Sequence, residues 1–236
     1  MNFMDQTAAA AWLAAQTAPP NYSVFEVPPF GQGPKPHCIY FYYLSDIHED
    51  GQGAVRNRLR VYYHDNGTKK LNRRKVKKVV KKLVLNARRD DLWDPTIGLP
   101  APKGFCPPAC GESFDAVKWR RRGYIVIVVD DPHWTLPENI DPIVVTQHKT
   151  CNHTFFQAFR WKVKMPRRTP TAAFDKYQTS AIGFRNHMAR SEAGDMLGED
   201  EEQAFNFILL LEQGGRFMPV PVDPDGNNLG PPLPPP

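Results

Sequence analysis

Five side chains able to hold a transition metal fall in two short clusters, Cys106 with Cys110 and then His148, Cys151 and His153. Thiolates and imidazoles are the usual zinc ligands, and four of these five would close a tetrahedral site. The spacing is Cys-x3-Cys followed by His-x2-Cys-x-His, and the second half departs from the common zinc patterns. A metal there would pin a long irregular loop to a sheet. Without one, Cys106 and Cys110 are loop thiols and His148 is a strand residue, and this second reading is the one adopted. No cofactor is expected. A different chemistry, the binding of phosphate, belongs to the cations. Lys69, Lys70, Arg73, Arg74, Lys75, Lys77, Lys78, Lys81 and Lys82 are crowded into one stretch, Arg120, Arg121 and Arg122 form a second group, and Arg160, Lys162 and Lys164 alternate along a third. On a shared surface, these three groups would make an electrostatic footprint for nucleic acid.

The segment Leu44-Ser45-Asp46-Ile47-His48 directly follows an apolar run. It resembles the first Asp-x-His motif of calcineurin-like metallophosphoesterases, in which both side chains ligate metal at a strand end. The resemblance covers five residues. The further motifs of that family find only Asp130-Asp131 and Asn152-His153 here, without the flanking glycines. The resemblance implies a metal-dependent hydrolase using Asp46, His48 and His153. Near the C-terminus, Val222-Asp223-Pro-Asp225-Gly-Asn227 looks like the start of a calcium loop, but lacks the required glycine spacing and reads as a turn. No glycine-rich nucleotide loop and no Gly-x-Ser-x-Gly elbow is present.

The elements that must position these residues are legible in part. In Lys69 to Arg89, Val76, Val79, Val80, Leu83 and Ala87 recur at helical spacing and form one apolar stripe, while Lys75, Lys77, Lys78, Lys81, Lys82 and Arg88 are assigned to the other faces. Asn66-Gly67 marks a turn ahead of the helix and Asn72 serves as its N-cap. The three valines of the stripe and a run of like charges weaken the isolated helix, so it must form by packing its stripe on something else. The aromatic run His37 to Leu44 and the run Leu59 to Tyr63 read as a hairpin that feeds the helix. Tyr124 to Val129 is apolar on both faces and reads as a central strand, ended by Asp130-Asp131-Pro132. Ile143 to Gln147 and Ala204 to Leu211 are further strands, with Ala181 to Met188 a weaker one. Gly214-Gly215 turns the chain into Phe217 to Val222. In Phe155 to Met165, Phe159, Trp161, Val163 and Met165 point one way, with Arg160, Lys162 and Lys164 the other.

Length and composition bound the rest. At 236 residues, with 41% apolar and 11% aromatic residues, the chain can bury a proper core. Of its 30 Lys and Arg, 11 lie between Lys69 and Arg89 with no acid among them, so the remainder carries 19 against 25 Asp and Glu. The formal charge of +5 is thus local, and it licenses only a local partner. No apolar run approaches the ~20 residues that span a bilayer. The N-terminal segment is a poor signal peptide, and four cysteines without a regular framework point to a reducing, cytoplasmic setting.

About eight strands that do not alternate with helices predict a β-rich α+β fold, an antiparallel sandwich or barrel-like core with an N-terminal helix and one basic amphipathic helix. The predicted organisation is an N-terminal helix and Pro-rich arm over 1–36, one globular domain over 37–228 with a possible boundary near 91–112, and a Pro-rich tail over 229–236 that runs as polyproline II. The functional expectation is a non-catalytic binding module contacting nucleic-acid phosphates through its basic helix and basic strand face. The alternatives are an assembly protein that docks the helix on an acidic protein surface, and the metal-dependent hydrolase.

Overall fold

The structure is a computed structural model that describes residues 3–16, 22–23, 37–49, 55–90, 123–147, 155–165, 179–186 and 205–222. In chain order the elements are α1 (Gln6–Gln16), β1 (Tyr22–Ser23), β2 (Cys38–Glu49), β3 (Val55–Asp65), α2 (Arg73–Asp90), β4 (Gly123–Asp130), β5 (Ile143–Gln147), β6 (Phe155–Val163), β7 (Thr179–Asn186), β8 (Phe205–Gln213) and β9 (Arg216–Val222). The strands form two sheets, one ordered β3-β2-β4-β7-β6 and the other β1-β5-β8-β9. The fold is β-rich and sandwich-like, as expected, but it is not antiparallel throughout and no barrel closes among the described residues. β2 and β4 pair in parallel from Cys38↔Gly123 to Leu44↔Val129. The chain leaves β2 through the β3 hairpin, crosses over through α2 and re-enters the sheet beside β2 as β4. Asp65 at the end of β3 and Gly123 at the start of β4 both stand beside Cys38, whereas α2 ends beside Asp130 at the far end of β4; residues 91–122, between α2 and β4, lie outside the described residues.

The alternation of side chains divides the five-stranded sheet into two apolar faces. Ile39, Phe41, Tyr43, Tyr124, Val126, Val128, Phe159, Val163 and Ala181 face α2 and pack against Leu71, Val76, Val80, Leu83, Val84 and Ala87. Tyr40, Tyr42, Leu44, Ile125, Ile127, Val129, Ile182 and Phe184 face the second sheet, meeting Phe207, Leu209, Leu211, Met218 and Val220. The ring centroid of Phe207 lies 6.1 Å from that of Tyr42 and 5.7 Å from that of Phe184, joining the sheets. The far side of the second sheet is covered by α1. Its Ala9, with Trp12 and Leu13, packs near Ile140, Leu210 and Phe217. The layers therefore run α2, five-stranded sheet, four-stranded sheet, α1. Burial on both faces explains why His37 to Leu44 and Tyr124 to Val129 read as continuous apolar runs.

Local chemistry sets the ends of these elements. Asp5 caps α1, its Oδ1 accepting from the amide of Ala8 at 2.8 Å. Gly214 (φ 57°) and Gly215 (φ 79°) both take the left-handed conformation that a tight two-residue hairpin between β8 and β9 demands. β7, expected as a weaker strand, is a central one, flanked by β4 and β6 with Ala181, Ile182 and Phe184 fully buried. The predicted boundary near 91–112 and the Pro-rich tail lie outside the described residues, as do Glu199, Asp200, Glu201 and Glu202, a run of four acids.

Candidate nucleic-acid interface

The basic helix begins where the sequence places it. The Asn72 side chain accepts from the amide of Lys75 at 2.9 Å, and its carbonyl accepts from the amide of Val76 at 2.9 Å. The apolar stripe is buried as expected except that Val79 is only partly covered, and Val84 joins it. Arg88 is the correction. It was assigned to the polar faces, yet it is 7% exposed and ion-paired to Asp130, which is 0% exposed.

Arg88 Nε and Nη2 donate to Oδ2 and Oδ1 of Asp130, each at 2.7 Å, and Nη2 also donates to Thr179 Oγ1 at 3.1 Å. The Thr179 hydroxyl donates to Asp130 Oδ1 at 2.6 Å, and the Tyr43 hydroxyl donates to Oδ2. Burial pushes the Asp130 carboxyl up, but the Arg88 guanidinium and the Thr179 and Tyr43 hydroxyls outweigh it and hold the group below its ordinary value. The last turn of α2 is thereby tied to the middle of β2, the end of β4 and the start of β7 at once. On the other side of the helix, Arg60 of β3 donates to the Ala87 carbonyl at 3.4 Å, setting a cation against the negative helix end.

So anchored, α2 presents its charge outward. Lys69, Lys70, Arg73, Arg74, Lys75, Lys77, Lys78, Lys81 and Lys82 are all exposed. No carboxylate among the described residues pairs with any of these nine. The first helical turn carries no acid, only Arg73, Arg74 and Lys75, against the usual preference for negative charge at that end. Lys77 and Lys81, and Lys78 and Lys82, repeat at i, i+4, each such pair costing about 0.2–0.5 kcal/mol. Among the described residues, this repulsion is not offset by any carboxylate. The N-terminal amides of α2 add to the same field.

The other basic groups do not extend this face. Arg160 and Lys162 point to the opposite side of the five-stranded sheet from Phe159 and Trp161, and so away from α2. Arg160 donates to the carbonyls of Pro137 and Ile140, and the Lys162 ammonium lies 2.6 Å from Glu138, holding that carboxyl below its usual range. Lys164 is exposed just beyond β6. The expectation that strand and helix share one surface is therefore not met: β6 offers α2 its rings, not its cations. Arg120, Arg121 and Arg122 lie outside the described residues, as do Cys106, Cys110, His148, Cys151 and His153.

The Asp-x-His segment forms a bulge at the end of β2, where the register with β3 shifts between Ser45 and His48 and Asp46 takes φ 52°. His48 Nδ1 donates to the Asp46 carbonyl at 2.9 Å. The role of Asp131 is structural. Its Oδ2 accepts from the Ile47 amide at 3.1 Å, and its Oδ1 accepts from the amides of His133 and Trp134 at 2.8 and 3.1 Å. One carboxylate thus joins the bulge to the turn after β4. Among the described residues, no group of three or more His, Cys, Asp or Glu is arranged to hold a metal ion. No helix among them is long and apolar enough to cross a membrane.

Sequence reasoning missed Trp161 as a surface feature. It is half-buried rather than enclosed, and the Lys77 ammonium sits 5.6 Å from its ring centroid. Comparison with protein-family models, with curated proteins and with solved structures gave no match for this chain.

Proposed function

We propose that the protein is a non-catalytic binding module whose helix α2 lies along the phosphates of a nucleic acid. The observation that supports this reading is the run of nine exposed cations, seven on one anchored helix and two just before it, with no described carboxylate to neutralise them. Phosphate contacts of this kind act through charge and release counterions, so binding is tolerant of sequence and weakens steeply with salt. The buried stripe and the Arg88–Asp130 pair anchor the helix, so the backbone that carries the cations is already folded before association and only their side chains remain to be ordered.

The test reverses Lys77, Lys78, Lys81 and Lys82 to Glu. All four are exposed, so the fold survives, as checked by circular dichroism and by thermal unfolding. The variant is expected to lose retention on heparin and on oligonucleotides of mixed sequence. Retention equal to that of the parent would refute the proposal. A parent that binds neither polyanion, but binds a polyglutamate-rich protein through the same lysines, would transfer the helix to an acidic protein partner and end the nucleic-acid reading.

A further inference from the structure

α2 crosses the five-stranded sheet at an angle, and its first two turns reach the edge strand β6. There Arg73 stands 5.2 Å from the centroid of Phe159, and the Lys77 ammonium 5.6 Å from that of Trp161. The two rings stack on each other with centroids 5.0 Å apart and an interplanar angle of 17°. Phe159 is buried, whereas Trp161 is half-buried. Beneath them β7 carries Gly183, where a Cβ would stand 3.1 Å from Phe159 Cζ and 3.2 Å from Trp161 Cζ3. The absence of a side chain there lets the pair of rings lie down on the sheet. Val163 beside them is buried, and the indole is partly covered, with the Lys77 ammonium over its ring.

A duplex offers a helix its phosphates and keeps its bases stacked on one another. A single strand offers phosphates and free base faces together, and proteins bind it by pairing a cationic track with aromatic rings. Arg73, Lys77 and Lys81 recur at i, i+4, i+8 and form one row along α2, rising about 6 Å per step, on the flank of the helix beside Trp161. Resting on the proposal that α2 binds phosphates, we infer that the ligand is a single-stranded nucleic acid, with one base stacked on Trp161 and the adjoining phosphates on the Arg73, Lys77 and Lys81 row. The base takes the position over the indole that the Lys77 ammonium holds in the free protein, and the ammonium moves to the neighbouring phosphate. Phe159 is the fixed second layer of the stack. The choice between single strand and duplex lies with the ring, and the strength of the salt dependence lies with the row of cations.

The experiment compares the parent protein with Trp161→Leu and Trp161→Phe, using fluorescein-labelled oligothymidine and a duplex of equal length, with heparin retention as the measure of charge alone. The parent is expected to bind the single strand at least tenfold more tightly than the duplex. Trp161→Leu is expected to lose about 5- to 150-fold in single-strand affinity, the range for one lost base stack, while Trp161→Phe keeps most of it and heparin retention is unchanged in both. A second measurement needs no variant: an oligonucleotide carrying 5-bromouracil, irradiated on the parent, is expected to crosslink within the peptide that contains Trp161. Equal binding of single strand and duplex, or crosslinks confined to other peptides, would overturn the inference while leaving α2 as a phosphate binder. Absence of all polyanion binding by the parent would instead remove the underlying reading.

Discussion

Truncating Asp130 to Ala tests the anchoring of the basic helix. Asp130 is fully buried and accepts both arms of the Arg88 guanidinium together with the Thr179 and Tyr43 hydroxyls. Its removal leaves a buried guanidinium without its counter-ion, a change that costs about 3–5 kcal/mol. For a chain of this size, that lowers Tm by about 6–20 °C, at roughly 2–4 °C per kcal/mol. The double replacement Arg88→Met with Asp130→Leu removes both charges and keeps the volume, and it is expected to recover most of the loss. The pH dependence follows from the depressed carboxyl. The unfolded Asp130 takes up its proton near its ordinary value of about 3.9, while the folded one holds out to lower pH. The pair's contribution is therefore complete above about pH 5 and is lost as pH falls through the folded value. Urea unfolding at pH 7 and at pH 3.5–4 measures both effects. A cost below about 1 kcal/mol for Asp130→Ala at pH 7 would refute the reasoning, as would a double variant no more stable than the single one.

Asp131→Ala removes the acceptor of three backbone amides, from Ile47, His133 and Trp134, and is expected to cost about 1.5–3 kcal/mol, with faster hydrogen exchange at Ile47 as the local sign. Gly183→Ala places a methyl 3.1–3.2 Å from the Phe159 and Trp161 rings, so a loss of about 1–3 kcal/mol is expected, with a changed near-ultraviolet dichroism as the rings lift. Gly215→Ala meets no neighbour within 4 Å but must hold φ 79°, which costs about 1–2 kcal/mol in thermal unfolding.

Local periodicity made much of this architecture legible. The stripe of α2, its cap at Asn72, the Gly214-Gly215 hairpin and the alternation of β6 are each written within a dozen neighbouring residues, and each appears in the structure. Parallel pairing of β2 with β4 was not legible. An apolar run such as Tyr124 to Val129 says only that both faces are covered, and the direction of the neighbouring strand depends on the path of the chain between them, which periodicity does not encode. Arg88 was misplaced for a related reason. Its partner Asp130 is 42 residues away, and a charge at the margin of an apolar stripe reads as solvated unless that partner is known. Trp161 alternates correctly with Arg160 and Lys162, yet its partial exposure follows from β6 being a sheet edge, which alternation does not encode.

The central claim is that α2 binds phosphates through its exposed cations, and the salt dependence of oligonucleotide binding tests it most directly. Each phosphate neutralised on a single strand contributes about −0.7 to the slope of log K against log salt. Only one side of the helix can face the ligand, so about four of its seven exposed cations make contact, and the expected slope is about −3. In the variant with Lys77, Lys78, Lys81 and Lys82 changed to Glu, the slope and the affinity should both vanish. A parent whose affinity is flat between 50 and 200 mM salt, or a charge-reversed variant with the parent's slope, would contradict the account.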